Sequence, residues 1–392
     1  MRILHAMPVY APAWQYGGPV LSVSRLCEAL AAKGIAVEVI TTNAGLSEFP
    51  ASQLGRPIMR NGVPVTYYPV DRPTGPIRSR GLEEALSGVM GRADLLHLSA
   101  IWQPLGIPIQ TEAIRQGVPI LHTLRGALGP YSLSQRWWKK LPYFLLRERP
   151  YLQQAAGLHI TSDQEANELW PLALRAPRWL LPNPMDLREL YPNPALGQQW
   201  RKRLGISAEQ PLLLICGRQH HKKGLDLLPQ VLSAVGERPW QLLMLGGDDD
   251  GSGQQLIEQL RRQGLGHRVI AHPTVPAAEL GGVYNAADLL LLPSRHENFG
   301  NVVLEALACG CAVAISDRTG VGMDLRHRAP EGFGAVLPRR SHDWIQWLGR
   351  WLEDAPRASP PVSQWVAQHY SQSAVADRAI ELYQQILQTQ KG

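Results

Sequence analysis

Residues 289–308 read LLLLPSRHENFGNVVLEALA. The four leucines predict a buried strand that ends near Pro293, and the apolar spacing after Asn301 predicts a helix. The loop between them carries Glu297, and Gly300 lets a ligand approach the backbone closely. The first turn of a helix presents backbone N–H groups at the positive end of the helix dipole, so this unit predicts an anion site suited to phosphate.

Two carboxylates flank this predicted phosphate site. Glu305 lies eight residues after Glu297, and both side chains are expected to face one cleft. Carboxylates accept hydrogen bonds from sugar hydroxyls. A nucleoside diphosphate sugar offers both phosphates and hydroxyls, which favours it over the alternative of two acids on a solvated helix.

A second motif, LICGRQHHKKG, occupies residues 214–224. It predicts a strand that ends at Gly217, followed by a loop that carries Arg218 and Lys223. Arginine offers a bidentate fork and lysine a mobile point charge, and both suit a diphosphate. A basic surface loop would explain the motif alone, but two phosphate-type sites in one half of the chain favour binding.

The rest of the chain alternates apolar strands with helices in two series, which is typical of parallel, doubly wound α/β sheets. The predicted fold is therefore two Rossmann-like α/β domains facing each other across a cleft, joined by the proline-rich linker 179–184. The predicted limits are an acceptor-side domain 1–182, a donor domain 183–364, and C-terminal helices 365–392 that return to the first domain. Ligands in such folds bind at the carboxyl ends of the strands. The predicted strands are 2–9, 35–42, 94–98, 119–123, 211–216, 241–245, 268–271, 289–292 and 312–316. The predicted helices are 21–33, 111–116, 224–235, 254–263, 277–286 and 301–308.

The composition narrows the class of protein. The chain has 392 residues, of which 45% are hydrophobic, and 39 basic against 33 acidic residues leave a net charge of +6. This excess suits phosphorylated ligands or anionic lipid, but no helix-turn-helix, zinc-finger or RRM signature is present, so nucleic acid is not an expected partner. Four cysteines without a CxxC pair, no signal peptide and no long apolar run predict a cytoplasmic protein.

These motifs resemble those of the retaining glycosyltransferases of family 4, which have the GT-B fold. Residues 297–305 resemble the family's E-x7-E motif, and residues 217–224 its G-R-x4-K-G segment. Residues 16–19, YGGP, resemble its N-terminal glycine loop. Further matches are 160–165, 182–186 and 286–294. The finer resemblance, carried by 98–104 and 123–133, is to bacterial enzymes that build exopolysaccharide, capsule or lipopolysaccharide chains.

The resemblance implies a role for each matching residue. Arg218 and Lys223 would hold the donor diphosphate and assist its departure, while Glu297 would contact the transferred sugar and Glu305 the ribose. His272 would lie near the base. Donor-facing loops would comprise Gly17, Gly18, Asn298, Phe299, Gly300, Asn301 and Val302. Such enzymes retain the anomeric configuration and generally need neither a metal nor a cofactor beyond the sugar nucleotide. Asp248, Asp249 and Asp250 would suit a metal site, but the neighbouring Gly246, Gly247 and Gly251 favour a solvated loop.

Three positions depart from the family pattern. Ser99 replaces the second histidine of H-x-H-G, Arg125 stands where a histidine is common, and Pro184 replaces the linker glycine. The first two positions lie on the acceptor side, where they put a histidine acid/base in doubt. Arg125 would either stabilise an anionic acceptor or departing phosphate, or serve in packing. His97 and His122 are interpreted as core histidines.

The segment 136–149 combines five basic residues with one acid and four aromatics. Such a mixture suits an anionic membrane surface, although the aromatics would equally serve a core. The expected location is therefore the cytoplasm, with peripheral contact at the inner membrane. The expected acceptor is a glycan or a lipid-linked acceptor.

Two other functions use the same features. A nucleotide-sugar epimerase also has two Rossmann-like halves, and it would convert the donor without any acceptor. A non-catalytic sugar-nucleotide sensor would bind the donor without turnover. A dinucleotide dehydrogenase is disfavoured because no G-x-G-x-x-G follows the first strand.

Overall fold

The computed structural model describes residues 1–46 and 48–390. The chain divides into two compact units: Met1–Pro184 joined by the segment from Gln372 onward, and Met185–Ser371. Each is a Rossmann-like α/β unit, which confirms the predicted fold class. The domain limits predicted from the sequence, 1–182, 183–364 and 365–392, remain a prediction.

The first unit contains an eight-stranded sheet in the order β3-β4-β2-β1-β5-β6-β7-β8. Only the β3–β4 pair is antiparallel among these strands. The strand order reverses at β1 and β5, so the loops that follow these two strands lie side by side. The strands are β1 Arg2–Val9, β2 Ala36–Thr42, β3 Pro57–Arg60, β4 Val63–Tyr68, β5 Leu95–Leu98, β6 Ile120–Thr123, β7 Gly157–Ile160 and β8 Arg178–Leu180.

The helices of this unit cover the sheet, and the last of them comes from the end of the chain. That helix, α16, packs on α1, where Lys33 and Asp377 form an ion pair of 2.7 Å. The α-helices are α1 Gly18–Ala32, α2 Arg80–Met90, α3 Gly106–Arg115, α4 Pro130–Ser134, α5 Trp137–Tyr143, α6 Arg149–Gln154, α7 Asp163–Glu168 and α16 Gln372–Thr389. A π-helical turn, Phe144–Glu148, joins α5 to α6.

The second unit contains a six-stranded parallel sheet in the order β11-β10-β9-β12-β13-β14. Its order reverses at β9 and β12, which are neighbours in the sheet. The two motifs singled out in the sequence follow these two strands, so they emerge at the switch point. The strands are β9 Leu212–Cys216, β10 Gln241–Leu245, β11 Val269–His272, β12 Leu289–Leu292, β13 Ala312–Ser316 and β14 Gly334–Leu337.

The helices of the second unit bury the leucine-rich strands, which carry no exposed residue in β9, β12 or β13. Local capping agrees with the sequence: the Asn193 side chain accepts from the Leu196 N–H at the start of α8, and Gly205 ends that helix with φ 69°. The helices are α8 Pro194–Leu204, α9 Leu228–Ala234, α10 Ser252–Arg262, α11 Ala277–Ala286, α12 Asn301–Ala308, α13 Gly322–Arg328, α14 Ser341–Asp354 and α15 Pro360–Tyr370.

Among the predicted helices, those over 224–235 and 111–116 differ most from the structure. The helix predicted over 224–235 begins as 3-10 turns and becomes α-helical only at Leu228, because Gly224 adopts φ 66° and Pro229 occupies the first turn. The helix predicted over 111–116 begins earlier, at Gly106. Within residues 1–46 and 48–390, no helix has the length and apolar character required to cross a bilayer.

Candidate functional site

The loop that joins β12 to α12 is held in place by backbone hydrogen bonds. Glu297 N–H donates to the Arg318 carbonyl at 2.9 Å, and the Glu297 carbonyl accepts from Gly320 N–H at 2.9 Å. Gly300 precedes the helix with φ 97°, and a Cβ there would lie 2.8 Å from Thr319 Cγ2. Glycine is therefore required at the point where α12 begins, and the predicted phosphate loop 298–302 has a fixed backbone.

The loop after β9 packs directly on the end of β12. A Cβ added to Gly224 would lie 2.1 Å from the Pro293 carbonyl oxygen, and Arg295 N–H donates to the Lys222 carbonyl at 2.8 Å. The two motifs, 74 residues apart at Lys223 and Glu297, thus form one surface. This close approach explains why the sequence has glycine at position 224.

Lys223 and Glu297 contact each other across these loops. Lys223 Nζ lies 2.6 Å from Glu297 Oε2, and both side chains are about three-quarters buried, with 22% and 26% exposed. A charge-assisted hydrogen bond of this length holds both groups in place. The sequence assigned each residue a separate role, and the structure brings them together as a pair.

Arg218 is the more exposed cation of the site. Its Nη1 lies 3.2 Å from Asp249 Oδ2, and 76% of the side chain is exposed. An exposed pair of this kind contributes little to stability. The guanidinium is therefore available to a ligand at small cost.

Asp248, Asp249 and Asp250, which follow β10, are exposed to solvent, as predicted. They also contact the loop that carries Arg218 and hold it in place. Asp248 accepts from the Gly251 and Gln254 N–H groups and forms a bridge with Gln219. Asp250 Oδ2 accepts from both the backbone N–H and the Nδ1 of His221 at 2.9 Å. The interpretation of a merely solvated loop therefore missed this positioning role, which depends on β9 and β10 being neighbours.

The side chains of His220, His221 and Asp250 place potential metal-ligating atoms within 4.8 Å of one another. Their own hydrogen bonds explain this proximity. His220 Nδ1 accepts from the Lys222 N–H at 3.3 Å, and its Nε2 lies 3.7 Å from Asp250 Oδ2.

Glu305 belongs to a second hydrogen-bonded group at the end of β9. Tyr284 Oη donates to Glu305 Oε2 at 2.7 Å and lies 3.3 Å from Cys216 Sγ. Burial raises the pKa of the Cys216 thiol to about 12, with Glu305 raising it further and Lys223 lowering it. Both Glu305 and Lys223 therefore lie within electrostatic reach of the carboxyl end of β9.

His272, the predicted base-side residue, ends β11 at the same edge of the sheet. Its ring meets the Trp200 ring edge-on at a centroid distance of 5.7 Å, and its Nδ1 lies 2.9 Å from the Pro273 carbonyl oxygen. Trp200 is a buried residue of α8, and the sequence contains no signal that distinguishes it from an ordinary core tryptophan.

Four predicted residues lie in the first unit, near its own switch point. Gly17 has φ 78° and precedes α1, and Gly18 is the first residue of that helix. Apart from its two chain neighbours, no atom of residues 1–46 and 48–390 lies within 4 Å of a Cβ built on Gly17, so that direction is open space. Ser99 follows β5, and its N–H donates to the Ala6 carbonyl at 2.9 Å.

Arg125 follows β6 and adopts a left-handed backbone conformation with φ 47°. Its Nη1 donates to Asn183 Oδ1 at 2.6 Å, while its buried Nε has no partner among the described residues. Burial lowers the pKa of Arg125 to about 10, and the Coulombic field of Glu165 opposes that shift. This cation has no carboxylate at ion-pair distance in the described chain, so it is suited to an anionic ligand.

A buried histidine network lies beside Arg125. His97 Nδ1 lies 2.8 Å from Tyr383 Oη, and His97 Nε2 lies 2.8 Å from Thr123 Oγ1 and 3.0 Å from His159 Nδ1. His122 is also fully buried. Burial lowers the pKa of His122 to about 4 and that of His97 well below its usual range. His97 is neutral and both of its ring nitrogens contact protein groups, which fits a core histidine, whereas the buried Nε2 of His122 has no hydrogen-bond partner among the described residues.

Comparisons with known proteins match both units. Residues 197–359 match the family model for Glycosyl transferases group 1, and residues 17–184 match that for a Glycosyl transferase 4-like domain. The D-inositol 3-phosphate glycosyltransferase of Thermobispora bispora is 29% identical over 413 residues, covering 98% of this chain and 94% of that protein.

Two solved structures share the fold along nearly the whole chain. Sucrose-phosphate synthase from Thermosynechococcus elongatus superposes with a TM-score of 0.74 at 23% identity, covering 99% of this chain and all of that one. HepE from Anabaena, solved in complex with UDP-glucose, superposes with a TM-score of 0.72 at 19% identity, covering 98% of this chain and all of that one.

Proposed function

Because this chain belongs to the family 4 glycosyltransferases of GT-B fold, we propose that it moves a sugar from a nucleoside diphosphate sugar to a hydroxyl group with retention of the anomeric configuration. The observation that carries the proposal is the Lys223–Glu297 pair, 2.6 Å apart at the switch point of the second sheet. It joins a diphosphate-binding cation to a sugar-binding carboxylate.

The proposed donor position uses charges that converge on the carboxyl ends of β9 and β12. Arg218 and Lys223 bind the diphosphate, and the backbone of residues 298–302 binds a phosphate at the start of α12. Glu305 accepts from the ribose hydroxyls, and His272 lies beside the base. The structural neighbour from Anabaena, solved with UDP-glucose, supports a sugar nucleotide of this kind.

In the proposed mechanism, negative charge grows on the diphosphate as the glycosidic bond breaks. Lys223 is held by Glu297 before the reaction, so it stabilises this charge without large reorganisation, while the exposed Arg218 leaves its weak pair with Asp249 for the diphosphate. The Glu297 carboxylate accepts a hydrogen bond from a hydroxyl of the transferred sugar and so orients the anomeric carbon of that sugar. The two cations take the role that a divalent metal plays in other transferases, so we expect activity to persist in EDTA.

The proposed acceptor side is the switch point of the first sheet, with Ser99 and Arg125. A guanidinium with no carboxylate at ion-pair distance among the described residues favours an acceptor that carries a phosphate. The curated relative acts on a phosphorylated inositol, which supports an anionic acceptor by analogy. A glycan or lipid-linked phosphate would provide the same charge.

The cytoplasm is the compartment we propose. The four cysteines Cys27, Cys216, Cys309 and Cys311 are buried free thiols, a state that a reducing compartment maintains.

The test is an incubation with UDP-glucose and related donors, with and without phosphorylated acceptors, followed by NMR of the products. Transfer should require an acceptor, and the new anomeric proton should keep the donor's coupling constant. Conversion of the donor sugar without acceptor would identify an epimerase. A donor that raises the melting temperature but is never consumed across the acceptor panel would identify a sensor. An inverted product would overturn the proposed stereochemistry.

A further inference from the structure

The first unit exposes an apolar surface between Arg136 and Arg147, which we call the 136–147 surface. It comprises α5 and most of the π-helical turn that follows. An exposed apolar cluster of this size on one segment is unusual for a surface that meets only water. The exposed large side chains are Trp137, Trp138, Leu141, Leu145 and Leu146.

The exposed charges on this segment are all positive. Arg136, Lys139 and Arg147 are exposed. Glu148, the acidic residue that directly follows this segment in the sequence, is only 1% exposed, and its Oε1 accepts from the Trp102 N–H at 2.8 Å. The side that meets solvent therefore combines apolar groups with positive charge and no carboxylate from its own segment.

Exposed apolar and basic side chains are interleaved along this segment. Trp137 and Leu141 are four residues apart in α5 and share one face of that helix, and Leu145 and Leu146 follow in the π-helical turn. Arg136 caps α5, and Lys139 and Arg147 are exposed along the same segment. Exposed tryptophan and leucine side chains beside lysine and arginine are typical of segments that lie in a lipid–water interface.

One groove borders this surface, and a second groove lies next to the first. One, of about 570 Å³, is lined by Tyr143, Arg147 and Arg78, together with Glu83 and Glu112. The other, of about 840 Å³, shares Arg78 with it and adds Arg72, Arg80 and Asp71.

The arginines outnumber the acids available to a ligand in these grooves. Glu112 is already paired with Arg115 at 2.6 Å. Guanidinium groups bind phosphate oxygens in bidentate fashion, so the groove that Arg147 lines suits a phosphorylated headgroup beside the exposed tryptophans and leucines.

From these contacts we propose that the 136–147 surface docks the first unit on an anionic phospholipid bilayer. The two tryptophans and three leucines enter the interfacial region, and the arginines bind lipid phosphate. A second copy of the chain is a poor occupant, because the same positive surface would face itself. This proposal concerns a binding surface and holds independently of the transfer reaction.

Trp102 connects the docked surface to the acceptor-side loops. Besides its contact with Glu148, its Nε1 donates to the Ala127 carbonyl at 3.0 Å, and Lys140 Nζ lies 5.6 Å from its ring centroid. Ala127 is two residues from Arg125, and Trp102 is three from Ser99. A lipid-anchored acceptor at the bilayer would therefore lie close to the residues proposed to receive it.

The experiment is vesicle flotation of the full chain without donor, using phosphatidylcholine alone or with about 30 mol% phosphatidylglycerol, at low and high salt. Wild type should float with the anionic vesicles at low salt and be released at high salt. Trp137→Ser/Trp138→Ser and Lys139→Glu/Arg147→Glu should each weaken binding at least tenfold. Trp170→Ser and Arg175→Glu, exposed positions of the same unit outside this surface, are matched controls and should bind as wild type does.

Near-UV circular dichroism and melting temperature should be the same for all variants, so that loss of binding is not loss of fold. Failure of wild type to bind anionic vesicles at low salt would overturn the proposal. Equal binding by the surface variants and the controls would overturn it as well. If light scattering instead shows a dimer that these substitutions dissociate, the surface is a self-association interface and the lipid proposal is wrong.

Discussion

Lys223 Nζ and Glu297 Oε2 lie 2.6 Å apart, although 74 residues separate them in the chain. The contact crosses the switch point of the second sheet, from the loop after β9 to the loop after β12. It gives the site a cation and an anion whose positions depend on each other, so a change at either residue should disturb both.

Removal of the cation should affect catalysis more than donor binding. In Lys223→Ala we expect kcat to fall at least tenfold with a smaller change in donor KM, because the charge of the leaving diphosphate develops mainly in the transition state. A charge-assisted hydrogen bond of about 1.5–3 kcal/mol corresponds to this range. Steady-state kinetics against Lys222→Ala, an exposed neighbouring lysine, provides the check, and a pure KM effect would contradict the role.

Removal of the carboxylate should abolish most transfer while the protein still folds. Glu297→Ala is expected to lose at least tenfold in kcat/KM, because a hydroxyl-to-carboxylate hydrogen bond contributes on the order of 1.5–3 kcal/mol. The backbone bonds of Glu297 to Arg318 and Gly320 do not need its side chain, so the loop should persist. Glu237→Ala, an exposed acid of the same unit, is the control. Wild-type kinetics in Glu297→Ala would exclude the assigned role.

Arg125 should discriminate between charged and neutral acceptors. Arg125→Gln keeps a side-chain amide donor for Asn183 and the same backbone strain but loses the charge. We expect KM for a phosphorylated acceptor to rise at least tenfold, with donor affinity changed less than about twofold. Calorimetric titration of the donor and kinetics of the acceptor separate the two effects, with Arg175→Gln as control. A loss of folding without any acceptor effect would assign Arg125 to packing.

Glu148 should make the first unit less stable at high pH. Burial raises the pKa of its carboxyl from 4.5 to about 7. A group whose folded pKa is raised stabilises the protein below its unfolded pKa, and that contribution is lost as the pH rises through 7. Glu148→Gln keeps an oxygen for the Trp102 N–H without the charge. We expect it to be more stable than wild type at pH 8 by on the order of 2–3 kcal/mol, and nearly equal at pH 4.5.

Chemical denaturation at the two pH values is the measurement, with Glu84→Gln as an exposed control. A stability difference that does not change between the two pH values would contradict the buried ionisation of Glu148.

The histidine network should make the first unit sensitive to acid. Burial lowers the pKa of His5 and of His159 to about 3, so the native state stays neutral while the unfolded chain takes up protons below about 6.5. Stability should therefore fall as the pH drops from 6.5 toward 3, by about 1.4 kcal/mol per pH unit for each histidine.

Hydrogen exchange can follow this effect separately in β1 and β5 of the first unit and in β9 and β12 of the second. In His97→Gln, the free energy of unfolding of the first unit should change less steeply with pH, by about 1.4 kcal/mol per pH unit, which is the contribution of one histidine. An unchanged slope in that variant would show that His97 is not part of the acid-sensitive group.

Local sequence was sufficient for the elements around the site. The strand Leu289–Leu292 and the helix Asn301–Ala308 occur at the predicted residues, as do Arg2–Val9 and Gln241–Leu245. These segments combine an unbroken apolar run or a clear helical period with glycine or proline at their ends. Such signals lie within a few residues of one another, so the chain itself carries them.

The contacts between side chains depended on strands that are distant in sequence. Asp249 holds Arg218 only because β9 and β10 pair, and three consecutive aspartates look the same as a solvated loop until that pairing is known. The same holds for Glu148, the one acid in a basic segment. Its burial under Trp102 leaves that surface positive, and no local pattern distinguishes a buried acid from an exposed one. Sequence alone determined which residues could bind phosphate and sugar, because that is a property of their chemistry. Tertiary structure decided which charges are paired, buried or left for a ligand, because those properties depend on neighbours that the fold brings within a few ångströms.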